Sequence, residues 1–502
     1  MVKVNIIGAG IAGLSTGCYL QMNGYDTQIF ELHELPGGVC TSWKIKGFTI
    51  DNCIHYLVGS GSSDDFYHLW SELIDMEKVK FVDHEEWIRV DGKDGRFIRI
   101  FTDIDKLENE MLLKAPIDTD LIREFTGAAR RFMRLRLPVE KARETYSLID
   151  VLKVIIRLFP FLGAMRKWGS ISIQEYAERC KDPLLSKTFS SMFLPETVVI
   201  FILMSLVWMH KRSAGYPIGG SLEFARLIEK RYRELGGKIN YKSRVAKIVT
   251  GNDLATGIML ENGQVHSSDI VISAADGHCT IFEMLGGKYI DDKIKDYYDN
   301  YMTFPSYLMV SLGVSRTFEN EPHSIILPLD KPFKLDESTE VEDLFIRIFN
   351  FDGKLAPQGK TSITALLPTY NYEYWDNLKK SNAVKYGQQK ERIANKVVEV
   401  LEKRFGNVES NIEMVDVSTP STVIRYTNNW KGSFEGWLMT TKVGGFASSM
   451  RKTLPGLGNF YMAGHWVEPG GGVPVAMMSG RNVAQLICKK DKKKFTTQRV
   501  RR

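Results

Sequence analysis

Cysteine is scarce in this chain, with six residues in 502. Cys18, Cys40, Cys53, Cys180, Cys279 and Cys488 form no Cys-x-x-Cys pair. That excludes a disulfide framework or zinc ribbon and points to a reducing compartment. The nine histidines show no His-Glu-x-x-His or other ligand spacing, so no protein-bound metal is expected. Long apolar runs are missing as well. The longest uncharged one, Thr197 to Met209, falls short of the ~20 residues that span a bilayer. The first residues lack the basic stretch of a secretory leader and run straight into glycines, so they read as the start of a fold. No internal repeat is visible, and the basic tail is the one biased segment.

What remains is an ordinary globular composition, 44% hydrophobic and 25% charged, long enough for two or three domains. The net charge is +6, yet Lys489 to Arg502 carries eight Lys or Arg against one Asp. The body is therefore close to neutral. Such a tail can attract anionic lipid or nucleic acid; the plainer reading is a solvated, disordered end. We expect no nucleic-acid partner.

The opening reads as β-α-β: a strand at Val4–Ile7, a helix at Ile11–Met22 and a strand at Thr27–Phe30. From about 65 to 210, charged amphipathic helical stretches dominate. Two pieces there are unusually apolar. Val198–Met209 is one. Val151–Phe161 is the other, with Lys153 and Arg157 on one side; it fits either an interfacial helix or an ordinary buried one. The α/β pattern returns after Pro217, with a helix at Ser221–Leu235 and strands at Lys238–Tyr241, Val245–Thr250, Ala255–Leu260 and Asp269–Ser273. A second block, about 300 to 435, holds strands at Tyr307–Gly313 and Thr361–Leu367 and a helix at Glu391–Phe405. A strand at Phe460–Gly464 and a helix from Val473 to Cys488 follow.

Gly8-Ala9-Gly10-Ile11-Ala12-Gly13 matches Gly-x-Gly-x-x-Gly, after a strand and opening a helix. Gly8 permits the tight turn, Gly10 lets backbone approach a pyrophosphate, and Gly13 lets the helix pack close to the strand. The helix N-terminus adds free N–H groups and a positive dipole end. Glu31 closes the second strand, where a carboxylate accepts hydrogen bonds from ribose hydroxyls and repels a 2′-phosphate. This unit predicts a dinucleotide without separating NAD from FAD.

Two further segments separate them by resemblance. Gly37-Gly38 follows Glu31 as in the long FAD signature of the amine oxidase and phytoene desaturase group. Tyr461-Met462-Ala463-Gly464-His465-Trp466-Val467-Glu468-Pro469-Gly470-Gly471-Gly472-Val473-Pro474 resembles the C-terminal flavin motif of phytoene desaturases. Trp43–Tyr56 resembles the matching segment of carotenoid isomerases and retinol saturases, and Tyr216–Ser221 the family's Pro-x-Gly-Gly pattern. The resemblance implies that Gly464, His465, Gly472 and Val473 face the flavin and its ribityl-phosphate arm, and that Val245 lies beside the adenine. His465 stands where many relatives have an acidic residue. Val39 stands where many amine oxidases place an arginine.

The expected fold class is α/β, a discontinuous Rossmann-like FAD-binding domain with an inserted mixed α+β substrate domain. The expected stretches are 1–65, 215–290 and 440–488 for FAD, 66–214 and 291–439 for substrate, and 489–502 as the tail. The expected cofactor is FAD, bound by Gly8, Gly10, Ile11, Ala12, Gly13, Glu31, Gly37, Gly38, Val245, Gly464, His465, Gly472 and Val473. His55 is a candidate proton carrier, with a structural histidine as the alternative. Trp466 and Glu468 flank the flavin motif, and Asp51 reads as a turn stabiliser. The resemblance implies desaturation, saturation or isomerisation of carbon–carbon double bonds in a hydrophobic polyene or lipid. An amine oxidase-like enzyme and a non-catalytic escort of prenylated proteins are the rival readings. The expected location is cytoplasmic, with peripheral contact at the inner face of a membrane through the apolar helices and the tail.

Overall fold

A computed structural model describes residues 1–443 and 450–500. Residues 444–449, within the third expected FAD-binding stretch, and 501–502, at the end of the tail, lie outside the described residues.

A five-stranded parallel sheet forms the nucleotide side. Its order is Lys238–Asn240, Asp26–Phe30, Lys3–Ile7, Ile270–Ser273 and Phe460–Met462. Central strands buried on both faces are largely apolar; Lys3–Ile7 is buried from Val4 onward, and its one buried polar side chain, Asn5, donates to His266 O at 2.9 Å. Helix Ile11–Met22 is buried over its first ten residues. It packs against the last helix, Val473–Lys490. The two chain ends thus meet across one sheet.

The second layer is a seven-stranded sheet ordered Ile412–Ser418, Ser306–Val314, Thr361–Thr369, Glu340–Ile348, Ser324–Lys334, Glu86–Asp91 and Phe97–Phe101. The last two strands come from the stretch read as helical. Their Trp-Ile-Arg-Val and Phe-Ile-Arg-Ile alternation around Gly92 and Gly95 is a hairpin pattern, and they pair antiparallel. Only the tertiary fold adds them to a sheet whose other five strands lie more than 200 residues on. Helix Val199–His210 sits in the core above, with Leu203 and Leu206 fully buried. Among the described residues no helix is long and apolar enough to cross a membrane.

Two segments decide between earlier alternatives. Helix Leu148–Leu158 has no buried residue, which rules out the buried reading of Val151–Phe161. The tail, in turn, is attached as far as it is described. Phe495 packs on Tyr19 and under Arg481, Thr496 exchanges hydrogen bonds with Asn23, and the Val500 N–H donates to Ser71 O at 3.0 Å. The free-end reading fails because the tail carries an aromatic anchor and backbone bonds as well as charge.

Phe48, on the short strand Phe48–Asp51, packs against the seven-stranded sheet: it is fully buried, and its ring lies where a Cβ on Gly313 would stand, at 2.5 Å. Phe48→Ala is expected to cost about 3–5 kcal/mol, read as a lower urea midpoint. A midpoint within error of wild type would show that the fold does not depend on this contact.

Candidate functional site

The first wall of the site is the turn after strand Lys3–Ile7. Gly8 has φ +95°, and its N–H donates to Phe30 O at 2.8 Å. Glu31 closes the turn from the neighbouring strand. Its Oε2 accepts from the Ala9 N–H at 2.6 Å and its Oε1 from the His33 N–H at 2.9 Å. Burial raises the carboxyl, and these N–H donors oppose the rise. Gly10 caps helix Ile11–Met22 with no side chain, leaving the first helical N–H groups open. Gly37 lies beside it, its N–H donating to Ala9 O at 2.9 Å, and Gly37 and Gly38 both have positive φ.

The second wall comes from the other end of the chain. Strand Phe460–Met462 runs into Gly464, at φ +110°, whose N–H donates to Ser479 Oγ at 2.9 Å. Gly470, Gly471 and Gly472 follow with φ of +111°, +65° and +83°, values that favour glycine. Gly472 then caps the last helix, again with no side chain. Two helix N-termini with positive dipole ends therefore converge. Burial pushes the His465 imidazole down to about 4, so at neutral pH it is an uncharged ring.

Between these walls lies a cavity. Twelve of the thirteen expected cofactor residues line it: Gly8, Gly10, Ile11, Ala12, Glu31, Gly37, Gly38, Val245, Gly464, His465, Gly472 and Val473. Gly13 does not. A Cβ there would overlap the Gly8 carbonyl, so Gly13 serves helix-to-turn packing alone. His55 is also off this wall. It stacks on Phe345 at 5.7 Å, and burial with the nearby Arg347 charge holds it well below the usual histidine range. Arg244, Asp276, Phe434 and Glu435 line the cavity without belonging to any motif; nothing in their local sequence marked them. Trp466 lines it too and meets Trp437 edge-on at 5.2 Å. Glu468 pairs with buried Lys452 at 2.6 Å. Asp51 stabilises a turn, accepting from the Ser221 N–H and the Tyr216 hydroxyl.

The residues present fit a long dinucleotide. At Gly10 the nearest atom to an added Cβ is Gly37 O, at 3.8 Å, so the protein leaves that side open for a ligand backbone to approach.

A model of the family described as flavin containing amine oxidoreductase matches residues 11–488. The chain belongs to that family. It is 24% identical, over 98% of its length and 96% of the relative's, to a 4,4′-diapophytoene desaturase (4,4′-diapolycopene-forming) of Methylomonas sp. It is also 24% identical, over 95% of its length and 82% of the relative's, to chloroplastic prolycopene isomerase 2 of an Oncidium hybrid cultivar. Among solved structures, an oxidoreductase from Methanosarcina mazei superposes with TM-score 0.57 at 16% identity, covering 96% of this chain and 99% of that one. Cyclohexylamine oxidase from Brevibacterium oxydans gives TM-score 0.61 at 12% identity, covering 98% and 100%. These establish a Rossmann-like FAD fold and an FAD-dependent oxidoreductase.

The glycine geometry separates two kinds of substitution. Gly10→Ala should keep the apo fold while weakening FAD roughly 100-fold, the cost of losing two charge-assisted hydrogen bonds of about 1.5 kcal/mol each. Gly13→Ala should lower the melting temperature of the apoprotein. Flavin fluorescence titration and thermal melting of both variants check this. Wild-type flavin affinity in Gly10→Ala would contradict the assignment.

Proposed function

We propose that this FAD-dependent oxidoreductase acts on a hydrophobic polyene, introducing, removing or rearranging carbon–carbon double bonds. The observation that carries the reading is similarity, over nearly the whole chain, to desaturases and isomerases of such molecules. When bound, FAD supplies a two-electron carrier that takes or gives hydride. The chain's own residues position it. The open N-terminus of helix Ile11–Met22 would take the pyrophosphate, Glu31 would orient the ribose through the acceptor capacity its two N–H bonds leave, and the Val473 N–H would face the pyrimidine edge. Val39 in place of the arginine of many amine oxidases argues against an amine substrate.

Mixing the FAD-loaded protein anaerobically with a linear C30 or C40 polyene should bleach the visible flavin band, or change the polyene spectrum after flavin reduction. A simple primary amine should leave both unchanged. Bleaching by the amine alone would reverse this reading.

A polyene resides in lipid, and the surface offers a place to meet one. Helix Leu148–Leu158 and the turn after it expose Leu148, Ile149, Leu152, Ile155, Ile156 and Phe159, Leu148 at 90% and Phe159 at 71%. Side chains like these on a capped helix, with Lys153 and Arg157 exposed beside them, suit insertion into an anionic membrane surface. The basic tail starts nearby, Lys489 Nζ donating at 3.0 Å to Glu144 O in the turn before that helix. We therefore place the working enzyme peripherally on anionic lipid. Flotation with vesicles containing phosphatidylglycerol should recover the protein, and neutral vesicles should recover less. Leu152→Glu with Ile156→Glu should cut recovery roughly 100-fold, since each buried aliphatic side chain contributes about 1.5–3 kcal/mol. Unchanged flotation would exclude this helix as the contact.

A further inference from the structure

Glu435 stands apart from the other acids of the cavity. Glu31 and Asp276 have both carboxylate oxygens held by backbone N–H groups. Glu435 accepts one such bond, from the Gly472 N–H to Oε1 at 2.8 Å. Its Oε2 has no hydrogen-bond partner among the described residues, and the side chain lines the cavity at the same end as Gly472, Val473 and His465. The glycine loop is shaped around it: a Cβ on Gly471 would overlap the carboxylate.

The backbone holds this carboxyl in place. The Phe304 N–H donates to Gly436 O at 3.0 Å and the Leu438 N–H to Met302 O at 2.8 Å. The Ser433 hydroxyl bonds both the Glu435 carbonyl and Phe304 O. Segment 433–438 is thus tied to the lead-in of a strand of the seven-stranded sheet, so an acid carried by the second layer is presented to the flavin loop of the first.

Burial raises Glu435 to about 8, with the Gly472 N–H opposing. Two titratable neighbours face it. Tyr56 is pushed up to about 12 and His465 down to about 4, both chiefly by burial. Both are uncharged from pH 6 to 9. Asp276, on the same cavity, is raised by burial to about 7, but both its oxygens are held by backbone N–H groups, so removal of the Glu435 carboxyl tells the two titrations apart.

We propose that Glu435 exchanges with the substrate the proton that accompanies hydride transfer. In the dehydrogenating direction one C–H bond gives its electron pair and hydrogen, as hydride, to oxidised FAD. The proton on the adjacent carbon passes to the Glu435 carboxylate, and the electron pair left behind becomes the new C=C bond. In the reverse direction reduced FAD returns the hydride and the carboxyl returns the proton. The proposal rests on the polyene reading above.

The test uses the FAD-loaded full chain as wild type, Glu435→Gln and Glu435→Asp. First, the visible flavin spectrum is followed from pH 6 to 9. Wild type should show a one-proton change centred near pH 8 that Gln abolishes and Asp retains at a shifted midpoint. Second, flavin bleaching by polyene is followed in single turnover. The wild-type rate should rise with pH through the same midpoint, because the ionised form accepts the proton. Gln should lose roughly 100-fold or more in rate, with the step near pH 8 gone and flavin affinity unchanged, and Asp should restore part of the rate. A Gln variant that keeps the wild-type spectral titration, or bleaches within threefold of wild type, overturns the proposal. Should Gln fail to hold flavin, Asp decides: its spectral midpoint must move from that of wild type, and an unmoved midpoint overturns the proposal. If no polyene bleaches the wild type, the substrate reading fails, while the spectral titration still decides whether Glu435 ionises beside the flavin.

Discussion

Everything in the site depends on two helices approaching more closely than ordinary side chains allow. Helix Ile11–Met22 and helix Val473–Lys490 touch where Gly480 meets the first helix. A Cβ on Gly480 would lie 2.6 Å from Ala12 O and 2.7 Å from Thr16 Oγ1. That approach brings Gly10 and Gly472, separated by most of the sequence, to one cavity. Gly13 does the same work on the other side of the first helix, letting it lie against its own turn. The anion site is made of backbone N–H groups and helix dipoles, which act only at short range, so a few tenths of an ångström at these glycines determine whether the dinucleotide is held.

The second layer adds what the nucleotide layer lacks. The parallel sheet presents glycine turns, Glu31 and a neutral His465. The 433–438 segment, tied to the lead-in of the seven-stranded sheet, brings Phe434 and one acid whose Oε2 has no partner among the described residues. That segment, tied to residues 302–304 and bonded through Glu435 to the Gly472 N–H, connects the layers. Flavin chemistry on an apolar substrate needs this division, because the cofactor requires polar anchoring and the substrate requires exclusion of water.

The exposed helix Leu148–Leu158 follows a similar logic at the surface. Its Ser147–Asp150 capping box makes it locally stable, and Lys141 pairs with Asp150 at 2.5 Å. Its apolar side chains stay exposed all the same. Helix Val199–His210, which has no Asp, Glu, Lys or Arg, is apolar all round and buried on nearly all sides, whereas Leu148–Leu158 sets Asp150, Lys153 and Arg157 among its apolar residues.

Much of the nucleotide side was legible from local pattern. Helix Ile11–Met22 forms over the span its glycines and apolar residues predict, and the strands flanking it agree within a residue. The reason is that turn, helix start and strand all respond to short-range sterics and hydrogen bonding. The C-terminal half of the site was legible as a motif, and the family match agrees with its flavin reading. What the tertiary structure decided is everything that depends on distant neighbours: the Glu86–Phe101 hairpin in a sheet formed mostly from the second half of the chain, the docked tail, the exposed helix, His55 off the cavity and Glu435 on it. A carboxyl's environment is set by which backbone N–H groups and apolar walls surround it after folding. The amino-acid sequence by itself determined that a dinucleotide would bind; only the packing of two layers determined which acid faces it.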